Sequence, residues 1–119
     1  MQNIDKLKEA IVADFTRWNA VTDDMDERAR NYREQSIKDF AENLTVETGN
    51  KKYLRVITKS GSQQSVWGFL VNTHDDKQFR YGDILKAAGW KAPAKNKARG
   101  NVVDGDFSKV QWTGPEYLR

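Results

Sequence analysis

Residues 89–102, GWKAPAKNKARGNV, concentrate the residue types that bind phosphate. Lysine and arginine hold phosphate, arginine through a two-pronged contact, and free backbone N–H groups in glycine-containing turns add to them. The segment supplies these donors at Lys91, Lys95, Lys97, Arg99 and in the backbone around Gly100. This composition predicts a loop that binds a phosphorylated ligand.

The same region offers the surfaces that a nucleobase needs, because a base stacks on an aromatic ring and amide groups read its edge. The candidate rings and amides are Phe79, Tyr81, Trp90, Asn96 and Asn101. Pro93 stiffens the loop, which lowers the entropy lost on binding. Other interpretations stay open at this point. Trp90 is also compatible with a core position, and the neighbouring alanines with a short helix whose lysines are solvated.

Residues that could support catalysis are sparse. His74 lies beside two aspartates in a polar loop, where a solvated histidine is a simpler interpretation than a general base. Asp104 and Asp106 could chelate a divalent cation, but DGD is also a common turn composition and no further ligand is identifiable. The sequence has neither a Walker-type phosphate loop nor a serine-nucleophile motif. We therefore expect no enzyme, no metal and no cofactor.

The 119 residues suit a single domain with a modest core. The absence of cysteine excludes disulfides, thiolate zinc sites and cysteine nucleophiles, and one histidine cannot form a histidine metal cluster. No apolar run approaches the roughly 20 residues that span a bilayer. The N-terminal MQNIDKLKEAIV has no signal-peptide core. We expect a soluble protein of the cytoplasm.

Charge divides the chain into two halves. Residues 1–50 carry 7 Lys and Arg against 11 Asp and Glu, a balance of −4, and residues 51–119 carry 13 against 6, a balance of +7. This layout indicates an anionic partner for the second half, or attraction between the halves, within one chain or between copies. Because the acidic half would repel a long polyanion, a compact ligand fits the layout better than a duplex does.

Hydrophobic periodicity predicts two helices in the first half. Apolar residues recur at spacings of three and four over residues 4–18, and the same spacing continues over residues 25–40. Thr22 or Asp23 is the predicted cap of the second helix. The result is a helical hairpin over residues 1–48 that must bury its apolar stripes on the second half or on another subunit.

From residue 51 the period changes to two, which is typical of strands. KKYLRVITKS and SVWGFLVN, at residues 51–60 and 65–72, predict a β-hairpin around the turn SGSQQ. GDILKAAGW, at residues 82–90, predicts a short helix capped by Asp83, and NVVDG and KVQWTG predict two short strands. The predicted fold class is α+β: an N-terminal helical hairpin followed by a small antiparallel β-sheet with one short helix. Residues 51–119 form the predicted ligand-binding part.

Residues 79–107, FRYGDILKAAGWKAPAKNKARGNVVDGDF, resemble a motif of small bacteriophage proteins and are most similar to the type I Thoeris anti-defence family. The motif covers about a quarter of the chain, and the rest resembles the family by layout alone. The resemblance implies a homo-oligomer, dimeric or larger, that captures a cyclic ADP-ribose isomer or a related cyclic nucleotide without cleaving it. A host immune effector would then stay inactive, and no membrane takes part.

The resemblance also implies roles for individual residues. Phe79 would stack on adenine, Arg99 with neighbouring lysines would hold the pyrophosphate, and an asparagine of the loop would read the base, with Lys91 as a competitor. Helical residues of a neighbouring subunit would approach the pocket. The predicted ligand-binding residues are Phe79, Arg80, Trp90, Lys91, Lys95, Asn96, Lys97, Arg99, Asn101, Arg17, Trp18 and Arg28. Two alternatives stay open: binding of nucleic acid, and inhibition of a host protein.

Overall fold

The structure, a computed structural model, describes residues 1–60 and 62–116 and places two helices before a set of short and long strands. The helices are α1, Ile4–Trp18, and α2, Glu27–Asn43. The strands are β1 (Thr45–Val46), β2 (Tyr53–Ser60), β3 (Gln63–Val71), β4 (Ile84–Leu85), β5 (Val110–Gln111) and β6 (Gly114–Pro115). The α+β class and the N-terminal helical hairpin are confirmed.

Strands β1 to β4 form one antiparallel sheet in sequence order, and β5 and β6 form a separate two-stranded pair. The long β2–β3 hairpin pairs Tyr53 with Val71 and Lys59 with Gln64, with one irregularity after Val56. The sequence predicts β2 from its alternation and β3 from its continuous apolar run. The turn predicted between them includes residue 61, which lies outside the described residues.

Alternation along the sheet sends side chains into two separate layers. Leu54 of β2 belongs to one buried cluster with Leu7 of α1, on the side that we call the helical face. Phe69 of β3 belongs to a second cluster with Phe79, on the side that we call the loop face, because Ala87 and Ala98 of the segment after β4 also pack there. The sheet therefore separates the helices from the predicted ligand-binding loop.

The short helix predicted at residues 82–90 is wrong, because this segment is strand β4 followed by a turn. Ile84 packs in the cluster of the helical face, and Leu85 packs in the cluster of the loop face. Only extended backbone sends two consecutive side chains to opposite faces of a layer. Tertiary packing on both sides thus overrides a helical composition.

Asp83, the predicted cap of that helix, stabilises a loop instead. Its Oδ2 accepts the backbone N–H of Arg80 at 2.8 Å, and its Oδ1 accepts the side-chain amide of Asn101 at 2.9 Å. The carboxylate therefore joins residues before β4 to residues well after it. This cross-link closes residues 83–101 into one loop.

Helix α2 begins later than the sequence predicts. Asp26, rather than Thr22 or Asp23, is its N-cap, and the Asp26 carboxylate accepts a backbone N–H of the first turn at 2.8 Å. Phe40 is buried near the end of the helix, whereas Tyr32 is 72% exposed. The predicted apolar stripe of α2 is therefore buried mainly at its C-terminal end.

Near the C-terminus, KVQWTG contains β5 and the first residue of β6, so its strand character is confirmed. NVVDG is not a strand, because residues 102–105 form a turn that a bridge between Asn101 and Asp106 closes. The interpretation of DGD as a turn is confirmed. Of the two described helices, neither has both the length and the apolar character that crossing a membrane requires.

Candidate functional site

A tight turn at residues 88–92 carries Trp90 and Lys91 to the surface of the loop face. An antiparallel bridge between Ala87 and Pro93 closes the base of this turn. The indole is not a core side chain, since Trp90 is 44% exposed. The turn thus presents an aromatic ring beside a cation, as the sequence predicts for a base-stacking site.

Arg55 of β2 holds this turn against the sheet. Its guanidinium carbon lies 5.0 Å from the centroid of the Trp90 ring, and its Nη1 donates to the Trp90 carbonyl oxygen at 3.3 Å. A guanidinium over an indole is attracted by the quadrupole of the ring. The part of the ring that Arg55 leaves uncovered faces solvent, because almost half of the side chain is exposed.

Glu47, directly after β1, orients Arg55 through a two-pronged ion pair. Arg55 Nε donates to Oε1 of Glu47 at 2.6 Å, and Nη2 donates to Oε2 at 3.0 Å. The hydrogen bond from Arg55 is the main cause that lowers the pKa of Glu47, and the charge of Lys51 lowers it further, while partial burial opposes both. Lys51 Nζ lies 3.7 Å from Oε2 of the same carboxylate.

A shallow cavity of about 530 Å³ lies beside this cluster. Four cations, one carboxylate and three aromatic rings line it: Lys51, Lys52, Arg55, Lys91, Glu47, Tyr53, Phe69 and Trp90. The cations exceed the carboxylate by three charges. We call this feature the Trp90 cavity. An exposed ring beside an excess of positive charge suits a ligand that has both a base and phosphates.

Asp76 positions two residues at the edge of this cavity. Its Oδ2 accepts the hydroxyl of Tyr53 at 3.2 Å and lies 3.4 Å from Nζ of Lys52. Its Oδ1 accepts the backbone N–H groups of Gln78 and Phe79 at 2.8 and 2.9 Å. These two backbone hydrogen bonds are the largest causes that lower the pKa of Asp76 to about 2.

Replacement of Asp76 by asparagine should therefore make stability less sensitive to acid. The pKa of about 2 in the folded chain lies below the value of about 3.9 for an unfolded aspartate. The stability contributed by the ionised carboxylate is present above about pH 4 and is lost as the pH falls through 2. Melting temperatures between pH 5 and pH 2 should fall more steeply for the wild type. Asp75→Asn is the matched control, and parallel curves for wild type and Asp76→Asn would contradict this role.

Of the predicted ligand residues, Trp90 and Lys91 line the cavity and Lys95 lies next to it. Lys95 Nζ is 5.2 Å from the centroid of the Tyr53 ring. Asn96 and Lys97 are exposed in the same loop. The side-chain oxygen of Asn96 accepts the backbone N–H of Lys97 at 2.8 Å, so this amide stabilises the loop.

Phe79 and Asn101, two other predicted ligand residues, lie in the interior. Phe79 is 7% exposed and packs in the core of the loop face. Asn101 is 4% exposed, and its amide donates to the Tyr81 carbonyl at 3.0 Å and to Asp83 at 2.9 Å. In this arrangement both side chains build the loop, and neither lines the Trp90 cavity.

Arg99 also points inward and is only 2% exposed. Its Nε donates to the Glu116 carbonyl at 3.1 Å, and its Nη1 donates to Asn96 Oδ1 and to the Lys97 carbonyl, both at 2.8 Å. Burial lowers its pKa. The backbone N–H of Arg99 donates to Ile84 at 2.8 Å, so it too is used within the fold. Arg99 therefore fastens the loop to the last described residues.

Arg80 is exposed, and its Nη2 pairs with Oδ2 of Asp104 at 2.5 Å. Asp106, the other acidic residue of the DGD turn, accepts the Ser108 hydroxyl at 2.8 Å. Across residues 1–60 and 62–116, no three His, Asp or Glu side chains lie together as a metal site would require. Both aspartates thus have roles within the turn and its neighbours.

The three predicted helical residues lie apart from the Trp90 cavity. Arg17 pairs with Asp14 at 2.7 Å, Trp18 is 72% exposed at the end of α1, and Arg28 is exposed in the first turn of α2. These helices pack on the helical face, whereas the Trp90 cavity belongs to the loop face. One chain does not bring the two groups together.

A larger cavity, of about 600 Å³, lies between the helices and the β2–β3 hairpin. Its lining includes Phe15, Tyr32 and Trp112, with Lys59 and Asp39 as its two charged side chains. One cation against one carboxylate gives no excess of positive charge. Of these two cavities, the Trp90 cavity therefore fits a phosphorylated ligand better.

Sequence reasoning missed Tyr53, Arg55 and Glu47 as parts of the site. One signal was available, because the alternation of KKYLRVITKS places Tyr53 and Arg55 on the opposite face from Leu54 and Val56. Polar side chains on one face of a central strand indicate that this face has a role besides core packing, such as binding a ligand.

A family model described as "Family of unknown function (DUF7717)" matches residues 2–118 of the chain. No curated protein matches the chain, and no solved structure does. The family match therefore assigns no function to the chain.

Proposed function

The chain belongs to DUF7717, a family of unknown function, and we propose that it binds a nucleotide at the Trp90 cavity and holds it without chemical change. One observation carries this proposal: a half-exposed indole lies beside four cations and a single carboxylate. The indole can stack on a base, worth about 1–3 kcal/mol, and the cations can hold phosphate.

The finer part of the proposal names the ligand and the biological role. The ligand is a cyclic ADP-ribose isomer, and its capture in the cytoplasm of a host cell keeps an immune effector inactive. The resemblance of residues 79–107 to the Thoeris anti-defence family supports this part. Capture of this kind is stoichiometric, so each bound nucleotide lowers the concentration of free signal by one molecule.

The number of exposed rings supports a compact nucleotide over a nucleic acid. Single-stranded nucleic acids are held by successive rings along a groove. Among the described residues of the loop face, Trp90 is the one exposed large apolar side chain. Phe69 is 2% exposed, and Lys52 and Lys95 lie 5.5 and 5.2 Å from the centroid of the Tyr53 ring. One available ring fits a ligand with one base.

The chemistry of the lining supports binding without cleavage. A general base must lie within hydrogen-bond reach of the proton that it removes and must be free to take it. The hydrogen bond from Arg55 and the positive charges of Arg55 and Lys51 lower the pKa of Glu47, the carboxylate of the cavity, so that it is a weak base. Arginine stays protonated in proteins, and the lysines are suited to hold anions as point charges.

The proposal includes a homo-oligomer, which the resemblance supports. Arg17, Trp18 and Arg28 lie on the helices, on the other side of the sheet from the Trp90 cavity. If these residues contribute to a pocket on the loop face, they do so from a neighbouring copy. An acidic first half and a basic second half favour such an approach between copies.

Capture and release test the proposal as a whole. The full chain is incubated with cyclic ADP-ribose isomers, separated from free ligand and denatured, and the released material is identified by mass spectrometry. We expect intact nucleotide, at no more than one molecule per chain. A converted product would instead indicate an enzyme. Retention of an oligonucleotide but no cyclic nucleotide would favour the nucleic-acid alternative, and retention of neither would contradict nucleotide binding.

A further inference from the structure

Two nitrogens of Arg55 that a phosphate would use are already occupied. Nε and Nη2 donate to the two oxygens of Glu47 at 2.6 and 3.0 Å, a parallel arrangement that carboxylate and phosphate can both adopt. The third nitrogen, Nη1, donates to the Trp90 carbonyl and keeps the guanidinium against the turn. Glu47 and Arg55 both line the Trp90 cavity. A carboxylate thus occupies the contact that suits the phosphate of a ligand.

We infer that Glu47 competes with the phosphate of a ligand for Arg55, and that a nucleotide binds by displacing Glu47 from Arg55. The inference rests on the proposed function and deepens it, because it names the contact that limits affinity. The geometry permits the exchange. The Glu47 side chain is 25% exposed, and Lys51 Nζ lies 3.7 Å from its Oε2, so the displaced carboxylate keeps a cation as partner.

Competition of this kind gives selectivity among anions. A ligand that offers only phosphate replaces one anion by another on Arg55 and gains little. A nucleotide gains the stacking of its base on Trp90 in addition, at about 1–3 kcal/mol. The resident carboxylate therefore discriminates against inorganic phosphate and against polyanions that lack a base at this position.

The test compares three variants of the full chain by calorimetric titration with cyclic ADP-ribose. Glu47→Gln keeps the size of the side chain and removes its charge, so it should tighten binding about three- to tenfold, as expected for one partly exposed charge-assisted contact. Glu47→Asp keeps the charge but is too short to meet both nitrogens, so it should also tighten binding. Asp75→Asn removes a charge from an exposed position in the loop that covers the same face. It should change the affinity less than twofold, within the range of a neutral surface substitution.

A second titration uses inorganic phosphate, which should bind Glu47→Gln more tightly than the wild type. Melting temperatures are measured alongside, and Glu47→Asp decides the matter if Glu47→Gln does not fold. The inference is overturned if the wild type binds the nucleotide and neither Glu47 variant binds it more tightly than Asp75→Asn. If neither the wild type nor the variants bind any nucleotide, the proposed function fails and the inference fails with it.

Discussion

Replacement of Arg99 by methionine is expected to lower the free energy of unfolding by roughly 2–4 kcal/mol. The guanidinium is 2% exposed and donates to Glu116, Asn96 and Lys97 at 2.8–3.1 Å. Methionine fills much of the same volume but has no side-chain N–H group, so the hydrogen bonds to these three acceptors are lost. Unfolding in urea, followed by circular dichroism, measures the loss.

Arg80→Met is the matched control for this substitution. The Arg80 side chain is 69% exposed and pairs with Asp104, which is itself about half exposed at 49%. A surface pair of this kind contributes at most about 1 kcal/mol, so the control should unfold almost like the wild type. If Arg99→Met were as stable as Arg80→Met but failed to bind nucleotide, Arg99 would have the phosphate-binding role that the family resemblance implies, and the structural role would be wrong.

The long elements of the fold could be predicted because their apolar patterns are local. The spacing of three and four over residues 4–18 matches the bounds of α1, Ile4–Trp18. Likewise, the alternation of KKYLRVITKS predicts β2, and the apolar run of SVWGFLVN predicts β3 as a central strand. Each pattern spans enough residues to be recognised without knowledge of the rest of the fold.

The segment around β4 could not be predicted because it is short and packs on both sides. Ile84 and Leu85 lie in different clusters, and this division depends on residues distant in sequence, such as Leu7 and Phe79. Two apolar residues in a row fit a helical turn as well as a strand. The surrounding layers, rather than local propensity, determine its backbone.

Composition identified the part of the site that lies in one segment and missed the part that lies across the sheet. Trp90 and Lys91 stand out in the basic loop, but Arg55 reaches Trp90 over 35 positions of sequence. Composition also cannot show whether the N–H groups of a cationic side chain point to solvent or form hydrogen bonds inside the fold. Arg99 and Asn101 have the chemistry of ligand-binding residues, yet they bond to acceptors that only the folded chain brings close.

Trp90→Ala should weaken nucleotide binding by about 10- to 100-fold, because stacking of one base on an aromatic ring contributes about 1–3 kcal/mol. The fold should tolerate the change, since the side chain is 44% exposed and lies at a turn. Tyr32→Ala is the matched control: Tyr32 is an aromatic residue that is 72% exposed and lines the larger cavity between the helices and the β2–β3 hairpin.

The most direct measurement of the central claim is a calorimetric titration of cyclic ADP-ribose into the wild type, Trp90→Ala and Tyr32→Ala under one salt condition. The Trp90 cavity predicts wild-type affinity for Tyr32→Ala and a loss of at least about tenfold for Trp90→Ala. Equal affinities for the wild type and Trp90→Ala, or a loss confined to Tyr32→Ala, would contradict the assignment of the ligand to the loop face.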